Sequence, residues 1–227
     1  MSAERTVLGI ADEAWGVYAR VCVTLGDRSE AWAGVVHQNV LDDGAWAPED
    51  EEPAPGGRLI VWSGSLGEGL FERSPETWLP TGMERLRAWL DRAARARGVQ
   101  LLLRPHARHV LCDAHRTAGF LAERPDLGLA LAPVALLESD MLHDAEDHIV
   151  RTLETLGGRA SCVVLQNIRP PETASGAPRR TPLADGMLDP ERLIDLTLRY
   201  TPEQTPLVVM GTPEQHRAQA GLIASRA

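Results

Sequence analysis

Five short apolar runs constrain this chain more than anything else in it. They are Arg58–Gly64 (RLIVWSG), Val99–His106 (VQLLLRPH), Leu127–Ala132 (LGLALA), Ser161–Asn167 (SCVVLQN) and Pro206–Met210 (PLVVM). A segment that is apolar at consecutive positions has no solvated face, so each reads as a strand buried on both sides, the condition of strands in a parallel sheet. Stretches with helical spacing lie between them. Met83, Leu86, Leu90, Ala93 and Ala94 share a face ahead of Arg95, Arg97 and a closing Gly98. Cys112–Arg124 supports a second helix that ends at Pro125. Leu142, Ala145, Ile149, Leu153 and Leu156 make a third stripe, stopped by Gly157-Gly158. Asp189-Pro190 opens a helix carrying Leu193, Ile194, Leu196 and Leu198, and Thr212-Pro213-Glu214-Gln215 caps a last one.

Strand and helix alternating five times imply a parallel sheet, either open and doubly wound or closed as a (β/α)8 barrel. No Gly-x-Gly-x-x-Gly or phosphate loop follows any strand, which weakens the nucleotide-binding version. Three more short runs, Val7–Ile10, Val21–Leu25 and Gly34–His37, bring the strand count to eight. The segments between them, Ala11–Ala19 and Asp27–Ala33, hold one or two helical turns at most, so the N-terminal βα units are expected to be abbreviated. Asp42–Gly57 is acidic and rich in Pro and Gly, a solvated loop.

Composition removes whole classes of function. The formal charge of −9 argues against nucleic acid or an anionic membrane as partner. The basic residues are all arginine, so chemistry that needs a lysine amine, such as a Schiff base, a pyridoxal-phosphate anchor or a P-loop, is excluded. Cys22, Cys112 and Cys162 are too few and too scattered for a disulfide framework or a zinc cage. Met1 leads into a polar start, and the longest apolar run, Leu127–Leu137, contains Pro133 and is too short for a membrane span. The expectation is a cytoplasmic protein of one domain, residues 1–227, with no membrane contact.

The order of the segments from Arg58 onward resembles the xylose-isomerase-like TIM barrels of the sugar phosphate isomerase/epimerase family. RLIVWSG is similar to that family's fourth strand, VQLLLRPH to the fifth, LGLALAPVALL to the sixth and SCVVLQNIRP to the seventh. LADGMLDPERLIDLTL is similar to the segment after the seventh strand, and PLVVM to the eighth. His37 stands where a third-strand histidine is frequent. The resemblance implies a divalent metal held by acidic residues and a histidine at the ends of strands five to eight. Carried over, those positions fall on Arg104, Ala132, Val164 and Met210, with Asn167 for a following Asp and Ala135 for a histidine near strand six. Alanine, valine and methionine cannot hold a hard divalent ion, and a guanidinium would repel it. The expectation is therefore a divergent member with no metal and no cofactor.

The remaining polar residues supply the candidates. Arg104 is either one half of a structural ion pair, with Glu68, Glu138 or Asp185, or a clamp for a phosphate or carboxylate. His106 and Asn167 join it as candidate anion-binding residues, and His37 and Glu138 are candidates for metal-free proton transfer. His106, His109, Cys112, Asp113 and His115 read as a cluster on a strand–helix turn, since steps of three drift around a helix. His143 and Asp147 read as a solvated helix face, and Arg179-Arg180 as either a charged loop tip or a lid over an anion. Two functions follow. One is a catalytically degenerate barrel, a pseudoenzyme that binds an anionic small molecule, a protein partner or another copy of itself. The other is a metal-independent isomerase or epimerase of a sugar or sugar phosphate.

Overall fold

The computed structural model describes residues 5–11, 20–25, 30–48, 54–96, 98–172 and 176–226. In chain order the strands are β1 (Val7–Ala11), β2 (Arg20–Thr24), β3 (Ala31–Val36), β4 (Arg58–Trp62), β5 (Gln100–Arg104), β6 (Gly128–Leu131), β7 (Cys162–Leu165), β8 (Asn167–Arg169), β9 (Arg179–Thr181) and β10 (Leu207–Val209). The helices are α1 (Pro80–Ala93), α2 (Ala114–Glu123), α3 (Ala145–Leu156), α4 (Pro190–Tyr200) and α5 (Pro213–Ala224). Eight strands close into a barrel in the order β1, β10, β7, β6, β5, β4, β3, β2, while β8 and β9 form a separate hairpin.

The unbroken apolar runs are explained by this closure. Successive side chains of a strand point to opposite faces, and here both faces are covered. Ile60, Leu102, Ala130, Cys162, Val164 and Val208 fill the lumen with Leu8, Cys22, Ala33 and Val35. Their neighbours Leu59, Val61, Leu101, Leu103, Leu129, Val163 and Leu207 pack outward against the helices. The helix starts follow the sequence signals. Asp113 accepts from the Arg116 N–H (2.7 Å), Asp189 from that of Glu191 (2.9 Å), and Thr212 with Gln215 forms a reciprocal capping box.

The N-terminal third departs from the expected abbreviated βα units. β2 runs antiparallel to both β1 and β3, whereas the remaining neighbours around the barrel are parallel. Connector length is the physical reason. A parallel crossover needs a dozen or more residues, and only eight separate β1 from β2 and six separate β2 from β3. The expected turns within Ala11–Ala19 lie mostly outside the described residues. β3 begins at Ala31, inside the stretch Asp27–Ala33 that was expected to be a connector. α1 ends at Ala93, ahead of Arg97, which also lies outside the described residues. The long loop after β7 is partly ordered by the β8–β9 hairpin. Among the described residues no helix is long and apolar enough to cross a membrane.

Candidate functional site

The C-terminal ends of the parallel strands meet in one layer at the barrel mouth, where such barrels place their chemistry. The lumen-facing phase carries it there. His37 follows Val35 by two residues, Trp62 follows Ile60, Arg104 follows Leu102, Ala132 follows Ala130, Gln166 follows Val164 and Met210 follows Val208. Trp62 and Arg104 are register partners on β4 and β5.

Arg104 is buried (2% exposed). Its Nη2 donates to Gln166 Oε1 at 3.2 Å and lies 3.8 Å from Met210 Sδ, and its guanidinium stacks 4.2 Å from the centre of the Trp62 ring. A guanidinium has no acceptor, so the contact fixes the orientation of Gln166 and leaves its amide N–H groups for another partner. Glu138, a candidate partner for Arg104 and a candidate proton-transfer group, is instead gripped by Arg108. Nε to Oε1 is 2.9 Å and Nη2 to Oε2 is 3.1 Å. Asp185 accepts from Gln215 Nε2 (3.0 Å).

The tautomers of the two buried histidines follow from their partners. The Arg108 N–H donates to His106 Nδ1 (3.0 Å), so neutral His106 carries its proton on Nε2. His109 Nε2 lies 2.8 Å from the Leu70 carbonyl, which can only accept, so that proton is also on Nε2. Burial pushes both imidazoles toward the neutral form, and neighbouring guanidinium groups, Arg180 first among them, add to it. His106 lies well below the usual histidine range and His109 is lowered to about 3. The two rings form an aromatic cluster with Trp62 and Phe71. Centroids are 4.6 Å apart for His106–His109, 4.9 Å for Phe71–His106 and 5.1 Å for Trp62–Phe71.

The β8–β9 hairpin brings Arg180 against this cluster, with its guanidinium 5.9 Å from the Phe71 centroid. Arg179 faces away and pairs with Glu172. Arg180 is half-buried, its Nη2 reaches the Ala135 carbonyl at 3.4 Å, and it forms no ion pair among the described residues. Burial lowers its guanidinium to about 10, opposed by the field of Glu138. Buried donors around this mouth that have no hydrogen-bond partner among the described residues include Trp62 Nε1, His106 Nε2, Gln166 Nε2 and Arg180 Nε. Since buried polar groups are normally satisfied, a cluster of unsatisfied donors calls for an acceptor.

The structure thus gathers Arg104 and His106, with His37 half-buried at the end of β3 in the same layer. It gives Asn167 a different role. That side chain is fully buried, donates to the Leu183 and Leu188 carbonyls (both 2.8 Å) and accepts from the Ile168 and Leu188 N–H groups, pinning the segment after the hairpin. The mouth residues missing from the sequence reading are Gln166, Trp62 and Phe71, whereas Arg180 was singled out there as part of a loop tip or a lid over an anion. Period-two phase identifies the first two, because Gln166 rather than Val164 is the last lumen-facing residue of its strand. The divalent ion implied by the resemblance does not fit these donors. The mouth layer offers a guanidinium, an amide, an imidazole and a thioether, and no three His, Cys, Asp or Glu among the described residues are placed to hold a metal.

No family model matches the chain, and no curated protein matches it. Solved structures do. A xylose isomerase domain protein from Planctomyces limnophilus shares 17% identity over 73% of this chain and 56% of its own, with a TM-score of 0.46. A xylose isomerase-like TIM barrel protein from Mycobacterium smegmatis, in complex with magnesium, shares 15% over 74% and 61%, at 0.44. The probable 3-DHS dehydratase AsbF from Bacillus anthracis shares 15% over 75% and 64%, at 0.49. The chain spans less than two thirds of the length of each. None reaches a TM-score of 0.5, and the closed barrel stands on its own strand pairing.

Proposed function

We propose that this barrel binds an anionic small molecule at its C-terminal mouth, without a metal ion and without catalysis of its own. The observation that carries the reading is the cluster of unsatisfied donors beside Arg180, a half-buried guanidinium with no ion pair among the described residues. Removing a guanidinium from water without an anion is costly, and an oxyanion ligand would offset that cost through its several acceptor lone pairs. His106 and Gln166 contribute N–H groups from below. Trp62 supplies the ring face that holds the Arg104 guanidinium. The non-catalytic part is supported by Glu138, whose two oxygens are both engaged by Arg108 and so poorly suited to taking a proton from substrate.

Thermal melts in EDTA test this. Sodium phosphate and sodium acetate are compared with sodium chloride at equal ionic strength, for the natural chain and for Arg180→Gln. At ten times its dissociation constant a bound anion stabilises by about 1.4 kcal/mol, a rise of roughly 3–6 °C for a chain of this size. At least one oxyanion should give that rise, and the variant should lose it. Equal melting temperatures in all three salts would refute the anion site. Isomerisation or epimerisation of a sugar phosphate by the EDTA-treated protein, abolished by His37→Ala, would establish the catalytic alternative instead.

A further inference from the structure

We infer that the anion is the carboxylate of a ring-bearing acid, of the benzoate class, rather than a polyhydroxylated phosphate. This rests on the anion reading above and names its ligand. Phe71 is the observation that points to it. It is one of three large apolar residues left exposed among the described residues, at 36%, and it lies at the rim beside Arg180. One face of its ring is stacked on His109, with an interplanar angle of 12° and centroids 5.5 Å apart. The cluster behind it is closed, since Trp62, His106 and His109 are buried. A ligand arriving from solvent therefore meets the exposed Phe71 ring, with the buried Arg180 Nε–H beside it.

That pairing suits a flat acid. The unsatisfied Nε–H of Arg180 and the adjacent Nη form a planar fork that matches a carboxylate, while the ring attached to that carboxylate would cover Phe71. Among the unsatisfied buried atoms here, Trp62 Nε1, His106 Nε2, Gln166 Nε2 and Arg180 Nε can only donate and outnumber His109 Nδ1, which can only accept. A carboxylate brings acceptors alone. Each hydroxyl of a sugar brings a proton that needs an acceptor of its own.

Calorimetric titrations in EDTA decide it, with sodium benzoate, sodium acetate, inorganic phosphate and glucose 6-phosphate as probes. Benzoate should bind at least tenfold more tightly than acetate. That ratio should fall to within twofold in Phe71→Ala and return in Phe71→Trp, while Arg180→Gln weakens both acids at least tenfold. Benzoate binding no tighter than acetate, with both dependent on Arg180, would overturn the ring inference and leave the anion site standing. Tighter binding of glucose 6-phosphate or phosphate than of benzoate would overturn it too. Loss of Arg180 dependence for every probe would overturn both readings.

Discussion

The floor and the mouth of this barrel use the same strands and opposite chemistry. In the floor, Leu8, Val35, Ile60, Leu102, Val164 and Val208 meet one another and leave no polar atom to satisfy. Two residues further along the same strands, the lumen holds Arg104, Gln166 and Trp62, with His106 and Arg180 closing over them. A parallel barrel needs only the first kind of layer to fold. The second keeps buried donors unsatisfied, which costs stability, so it is explained by something other than folding. Substitution in the floor should therefore damage the fold, and substitution among the mouth's donors should damage only binding.

The largest effect belongs to the floor. Leu102→Ala removes a fully buried side chain at the barrel's centre and should destabilise by about 2–5 kcal/mol in denaturant melts. A loss under 1 kcal/mol would mean that the lumen is not packed as described. Next comes the strut beside the mouth. Asn167→Ala strands the Leu183 and Leu188 carbonyls and two backbone N–H groups, and should cost about 2–3 kcal/mol without ligand present.

Acid should weaken the mouth before it reaches the floor. Burial holds His109 at about 3, against about 6.5 in the unfolded chain. Between those values the unfolded state binds a proton that the folded state refuses, so stability rises with pH through the window and levels off above about 6.5. His109 alone should make the protein about 2 kcal/mol less stable at pH 5 than at pH 7, and His106 acts in the same direction. Chemical denaturation at the two pH values measures this, and a smaller difference in His109→Gln would assign it. The smallest effect on stability belongs to Arg180→Gln. With no ion pair to break among the described residues, it should change unfolding free energy by less than about 1 kcal/mol while removing anion-dependent stabilisation.

Much of this contrast was legible in the chain. The five central strands announce themselves because a strand covered on both faces has no polar position, and Asp113, Asp189 and Thr212 mark helix starts through their capping groups. Arg104 was visible as a charge ending an apolar run. The antiparallel β2 was also within reach, since eight- and six-residue connectors cannot carry a crossover. Counting in twos from Val164 would likewise have chosen Gln166 over Asn167. Phe71 and Arg180 are different. Phe71 lies in a connection with no periodicity to follow and Arg180 on a three-residue strand that the chain offered only as a loop tip or a lid, and only the folded chain brings the β4–α1 connection and the β8–β9 hairpin to the same rim.

The anion site turns on one proton, the unsatisfied Nε–H of Arg180. Nitrogen-15 spectra of the arginine side chains observe it directly, with the signal assigned by its absence from Arg180→Gln. On titration with acetate and then phosphate in EDTA, that resonance should shift saturably and exchange more slowly with water, while the Arg124 and Arg226 signals, held by their own carboxylates, stay in place. An Arg180 signal that does not move, or that moves no more than those surface arginines, would contradict the account.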